Sequence, residues 1–241
     1  MKKTILPVIV LLSLIFSVLY SCKSDTGKSI STQKENTTSN ITHKDSTSVK
    51  ENNSAGKEVK LIPVEKKKLN IFFSNFSEVN LKPFTNASIS DEDFINFGVL
   101  HNYKNNYKLF TRVDDANGKI KEDYVNASIM KFFGRTVNSH KSTSDYKYKN
   151  GFYFIQLADG EAYTFSQIEK LIDIGNDLYI AFVNVYTASS GWTGDTQASP
   201  KEWSADSDGK PELTGKFKAT FKISNDSKGE QVYTLIDYLK Q

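Results

Sequence analysis

Leu178-Tyr-Ile-Ala-Phe-Val-Asn-Val-Tyr186 is the stretch whose reading decides the fold class. It is dominated by β-branched and aromatic residues, contains neither glycine nor proline, and follows a Gly175-Asn-Asp turn, so it reads as an extended strand. A strand needs a partner, and the residues before that turn supply one. Tyr163 to Asp173 places Phe165, Ile168, Leu171 and Ile172 at spacings that also fit a helix. The extended neighbour across the turn favours a strand that pairs back on it.

Working outward, Tyr146 and Tyr148 lead into Asn150-Gly151, the strongest hairpin signal in the chain, and Phe152-Tyr-Phe-Ile-Gln-Leu157 returns. Asp159-Gly160 predicts a further turn. Lys216 to Ser224 and Gln231 to Leu239 form a last hairpin across Asp226-Ser-Lys-Gly229. Upstream, the pattern changes to helical. Ser90 ahead of Asp91, Glu92 and Asp93 is a helix start with a capping box, and Phe94, Phe97 and Leu100 follow on one side, with Val99 and His101 at its edges. Tyr124, Val125, Ile129, Phe132 and Phe133 recur at helical spacing up to Gly134, which supplies the stop. Ile71-Phe-Phe-Ser-Asn-Phe-Ser-Glu-Val79 reads as a strand or part of the core lining, ending before Lys82-Pro83. Leu109-Phe-Thr-Arg-Val113 reads as a short strand or a hinge. The sum is an α+β fold: two helices packed on an antiparallel β-meander of five to six strands. This layout resembles the cystatin-like and NTF2-like arrangements.

The amino end has a different character. Lys2 and Lys3 precede an apolar run, Ile5 to Leu19, then Tyr20, Ser21 and Cys22. As a helix that run would be roughly 22 Å long, short of the ~30 Å hydrocarbon core, which favours an export signal over a membrane span. Leu19, small Ser21 and Cys22 are similar to the processing site of type II signal peptides of bacterial lipoproteins. The resemblance implies a signal peptide over 1–21 and a lipidated cysteine at 22, with acyl chains anchoring the protein to the cell membrane or outer membrane on the extracytoplasmic side. An ordinary secretory signal with an incidental cysteine is the alternative. Cys22 is the sole cysteine in 241 residues, so no intramolecular disulfide, Cys-x-x-Cys pair or thiolate cluster can form.

From Lys23 to Lys68, Ser, Thr, Asn and Lys dominate and no aromatic residue occurs. Such a segment buries too little apolar surface to offset about 1 to 2 kcal/mol of backbone entropy per ordered residue, so residues 22–68 are expected to form a flexible tether. The tether is lysine-rich, whereas 69–241, the expected single globular ectodomain, holds slightly more acidic than basic residues. The net charge of +3 therefore resides in signal and tether and is no signature of nucleic-acid binding.

The Ser90-Asp-Glu-Asp-Phe94 helix start, Val125 through Phe132-Phe-Gly134, and Lys149-Asn-Gly-Phe-Tyr-Phe154 through Ala158-Asp-Gly-Glu161 resemble uncharacterised lipoproteins of Gram-positive anaerobes. The shared positions cover 88–239, are turns and core residues, and imply no activity.

Motifs for chemistry are sparse. Asp114-Asp-Ala-Asn-Gly-Lys-Ile120 invites comparison with a calcium loop, but with Gly118 at the sixth position Val113 and Tyr124 occupy the two anchoring places. Asp206-Ser-Asp-Gly209 fails in the same way, so both read as turns. His43 lies in the tether, and His101 and His140 have no metal-ligand spacing. No Gly-x-Ser-x-Gly turn or glycine-rich phosphate loop is found, and no cofactor is expected. Asp159 and Glu161 flank a turn. The remaining candidate is the loop Thr187 to Pro211, which holds both tryptophans, Trp192 and Trp203. These rings either plug the open end of the sheet or present a platform for a glycan, peptide or envelope protein, with Asp195 beside Trp192 as acceptor. Two function classes follow: a noncatalytic binding or interaction module, or a hydrolase of cell-envelope polymer using carboxylates that meet only in the fold.

Overall fold

The structure is a computed structural model and describes residues 56–157, 162–205 and 209–241. Cys22, the signal peptide, most of the expected tether, the Asp159-Gly160 turn, Glu161 and the acids of the Asp206 turn lie outside the described residues. In chain order the elements are strand β1 (Lys57–Glu58), helices α1 (Pro63–Ser77) and α2 (Asp91–Asn105), strands β2 (Thr111–Arg112) and β3 (Asn117–Lys121), helix α3 (Glu122–Phe133), and strands β4 (Lys147–Lys149), β5 (Phe152–Gln156), β6 (Tyr163–Gly175), β7 (Leu178–Ala188), β8 (Glu212–Asn225) and β9 (Gln231–Lys240).

The α+β class holds, with helices packed against an antiparallel sheet. The stretch 178–186 is a central strand: β7 pairs with β6 on one side and β8 on the other, in a five-stranded sheet of order β1-β6-β7-β8-β9. Tyr163–Gly175 is a strand, as the Gly175 turn suggested. The Asn150-Gly151 hairpin also forms, with both residues at positive φ, as such a two-residue turn requires. It joins a separate four-stranded sheet, β2-β3-β5-β4, instead of extending the meander. The reason is β3: Asn117–Lys121, expected to be turn and helix lead-in, pairs along β5 from Gln156 to Phe152 and claims that edge.

A second difference lies upstream. Of the two readings of Ile71 to Val79 the strand fails and the core lining holds: Phe72, Phe73, Phe76 and Val79 are buried in the core, but most of the segment belongs to α1, a third helix, which begins at Pro63, so the expected order boundary at 68 falls inside it. Proline at the first helical position and Glu65 in the first turn favour the start there. Leu69, Phe72, Phe73 and Phe76 recur along its buried side, a helical period hidden in sequence by the intervening Ser and Asn.

Helix α1 also does the work of a neighbouring strand. Along the edge of β6, the Ser166 N–H donates to Ser74 Oγ (2.9 Å) and the Ile168 N–H to Asn70 Oδ1 (2.8 Å). Residues two apart on a strand meet residues four apart on a helix, so two edge amides are satisfied by side chains. Further along the same edge β1 takes over, pairing with Ile172 and Asp173.

Helices α2 and α3 cross closely at Gly98, where a Cβ would stand 2.7 Å from Val125 Cγ1. Asn102 Nδ2 bridges the pair, 2.8 Å from Gly98 O and 2.9 Å from Ser128 Oγ. The predicted helix signals are realised. Ser90 Oγ accepts from the Asp93 N–H, and Gly134 closes α3 in the left-handed region. All three helices meet the five-stranded sheet in one aromatic core that includes Phe73, Phe76, Phe94, Phe97, Phe132, Phe221 and Tyr238.

Candidate functional site

The tryptophan loop folds inward. Trp192 and Trp203 are 7% and 4% exposed and, with Phe165, Tyr186 and Ala188, build a small second core. Trp192 stacks on Phe165 (5.7 Å between centroids, planes 5° apart), and Trp203 meets Tyr186 edge-on at 4.8 Å. Each indole N–H finds a carbonyl within the loop: Trp192 Nε1 donates to Ser204 O (3.1 Å) and Trp203 Nε1 to Asp195 O (2.9 Å). Asp195 turns its carboxylate to the Gln197 N–H at 2.8 Å. The loop is pinned to the domain by Gln167 Nε2, which donates to Thr196 O and Ala198 O, and by Asn70 Nδ2, which donates to Gln197 Oε1. Of the two readings of Trp192, Trp203 and Asp195, this geometry is the plug. Rings this buried, with the N–H already engaged, offer no surface platform.

His101 and His140 are packed as well. His101 is buried, parallel to Phe97 (5.5 Å, 4°) and edge-on to Phe132 (4.8 Å). Burial, reinforced by the Lys131 charge, lowers its pKa to about 4. Nearby, Asn105 Nδ2 donates to Glu78 Oε1 (2.5 Å) and lies 3.2 Å from His101 Nδ1; burial raises the Glu78 carboxyl above its ordinary value. The partner of this perturbed acid is an amide, not the second carboxylate that glycoside hydrolysis employs. His140 sits between Tyr153 Oη and Asn126 Nδ2, each at 2.8 Å, while Tyr148 donates to Glu122. Asp114 caps its own turn by accepting from the Ala116 N–H and Asn117 Nδ2. No group of three or more His, Cys, Asp or Glu stands together as a metal set among the described residues.

His101 carries a pH prediction. Its folded pKa lies below the ordinary 6.5, so between pH 6.5 and about 4 the unfolded chain binds a proton that the folded chain does not. Stability falls as pH drops through that window, by up to roughly 3 kcal/mol from this group, and levels off below it. Glu78, raised, acts in the opposite direction. In His101→Gln the acid limb of urea-midpoint against pH is expected to flatten over pH 6.5–4; an unchanged limb would assign the acid sensitivity to other groups.

What the sequence left unseen is a groove of about 710 Å³ along the flank of α1. Lys68, Ile71, Phe72 and Asn75 line it from α1, Lys131 and Phe132 from α3, and Glu230, Gln231 and Tyr233 from the far end of the β8–β9 hairpin. Phe72 and Phe132 lie 6.2 Å apart, stacked, and Tyr233 leans on Phe72 at 5.3 Å. Lys131 Nζ stands 4.9 Å from the Phe132 centroid, and Ile71 is half-exposed at the lip. Beyond Tyr233 a smaller apolar pocket of about 130 Å³ continues between Leu61, Leu69, Leu171, Tyr179 and Ile223.

No family model, curated protein or solved structure matches this chain. The functional reading therefore rests on the chemistry of the groove. Its walls offer aromatic edges and aliphatic surface, and two lysines, Lys68 and Lys131, line it against one acid, Glu230, a combination suited to a ligand with an apolar body and an anionic group. The signal for it was the 68, 71, 72, 75 spacing, which gathers on one flank only once 63–77 is known to be helical.

Proposed function

We propose that the protein is an extracytoplasmic lipoprotein, anchored to the bacterial membrane through lipid on Cys22, whose domain is a noncatalytic interaction module. The groove between α1, α3 and the β8–β9 hairpin holds its ligand, an acidic peptide segment with aromatic or aliphatic side chains from an envelope protein. The observation that carries this reading is the pairing of Lys68 and Lys131 with Phe72, Phe132 and Tyr233 in one open groove. A carboxylate between the two ammonium groups gains charge-assisted hydrogen bonds, while an apolar side chain fills the aromatic wall. The working structural analogue is the cystatin-like layout, one helix on one face of an antiparallel meander, here extended by α2, α3 and the small sheet.

The test is a panel of acidic-aromatic peptides titrated by fluorescence anisotropy against the protein and its Lys68→Glu/Lys131→Glu variant. Reversing both charges is expected to weaken binding at least tenfold, with the loss shrinking at high salt. Equal affinity for both proteins, or no peptide bound by the wild type, would remove the groove as the site. Intact mass of membrane-extracted protein checks the anchor separately: an unmodified thiol at Cys22 would rule it out.

A further inference from the structure

The five-stranded sheet has a second face, turned away from the helices. Directly opposed residues of antiparallel strands share a face. Leu171, Ala181, Ala219 and Tyr238 are cross-strand neighbours in the core, so the intervening rows point outward. One such row runs Lys170, Phe182, Lys218, Leu239, and the next runs Ile172, Ile180, Thr220, Asp237. Lys216 and Lys222 extend the line along β8, opposite Asn184 and Leu178. Trp192 and Trp203 cover this face at its Phe165–Tyr186 end.

The open part is cationic and apolar together. Lys216, Lys218 and Lys222 are exposed and make no ion pair among the described residues, whereas Lys170 is held by Glu58 at 2.9 Å. The acids of these rows are Asp237, whose carboxylate accepts from the Asn86 N–H, and Glu58, opposite Ile172 on β1 and paired with Lys170. Ile172, Ile180 and Phe182 are half-buried between the lysine stems. Such a flat surface matches an anionic bilayer, where lysines extend to phosphates and the apolar residues settle at headgroup level. The chain also enters at this place. β1 is the edge strand of the same sheet, and the 35 residues from Cys22 to Gly56 span at most about 115 Å, ample for the edge to lie at the membrane.

We propose that the outer face of β6 to β9 docks on the anionic membrane surface, turning the α1 groove outward to its ligand. This rests on the tethering reading for proximity alone; the contact itself is electrostatic.

The experiment is lysine acylation footprinting of the membrane-extracted protein with phosphatidylcholine vesicles, with vesicles containing phosphatidylglycerol, and with soluble polyphosphate, each read by mass spectrometry. On the anionic vesicles at low salt Lys216, Lys218 and Lys222 are expected to react about fivefold more slowly, and to recover at 0.5 M salt, while Lys67, Lys68 and Lys131 stay reactive. Lys218→Glu is expected to restore the reactivity of Lys216 and Lys222. Equal protection on neutral lipid, protection of the helix-side lysines instead, or protection by polyphosphate without protection by vesicles would each overturn the proposal. An unmodified Cys22 in the same sample would remove the anchor yet leave the footprint on anionic vesicles intact, so the two failures are distinguishable.

Discussion

Phe76→Ala is expected to lower the stability of the domain by about 4 kcal/mol, the upper part of the range for deleting a buried ring from a packed core. Phe76 is fully buried and stands where the three helices meet the five-stranded sheet. Its ring lies within 5.0 Å of Phe72, 5.6 Å of Phe97, 5.7 Å of Phe132, 5.8 Å of Phe133 and 6.3 Å of Tyr238, so all three helices and β9 touch it. These neighbours are themselves held by other contacts and can collapse little into the space left behind. Against a typical total of 5–15 kcal/mol, that loss shifts the melting temperature by roughly 10 °C. Urea unfolding followed by circular dichroism measures it. A loss under about 1.5 kcal/mol would mean that α1 is not an integral layer of the core.

Trp203→Ala is expected to cost about 3 to 4 kcal/mol through a different route. The ring closes the small second core over Phe165, Tyr186 and Trp192, and its N–H holds Asp195 O, so removing it opens a cavity and frees one end of the loop together. Trp192 then reports locally: its emission is expected to move to longer wavelength as water reaches the Phe165 stack. A variant with unchanged urea midpoint and unchanged Trp192 emission would show the loop to be an ornament on the sheet. If the peptide panel binds this variant as well as the wild type, the loop and the groove are separate devices, as their positions on the two faces of the sheet imply.

That opposition of faces joins the proposals into one picture. Helices and groove occupy one side of β6 to β9, lysines and tryptophan plug the other, and the chain enters at the β1 edge between them. With the proposed anchor at that edge, one side would face the membrane and the other the surroundings.

The sequence by itself determined what is local. Ser90 with Asp93 marked the start of α2, Gly134 the end of α3, Asn150-Gly151 a hairpin, and 178–186 an extended strand, because capping bonds, left-handed turns and β-branched runs act between residues a few positions apart. It also named Trp192 and Trp203 as members of one unit but left plug and platform both open, with the plug slightly ahead, since their choice depends on Phe165 and Tyr186 offering a surface beneath them. Only the tertiary structure decided that 63–77 is a helix, that β3 draws the Asn150 hairpin into a second sheet, and that Lys68 and Lys131 share a groove. Each of those depends on which distant face buries a given apolar set, and that is settled by packing between segments far apart in the chain rather than by the preferences of either one.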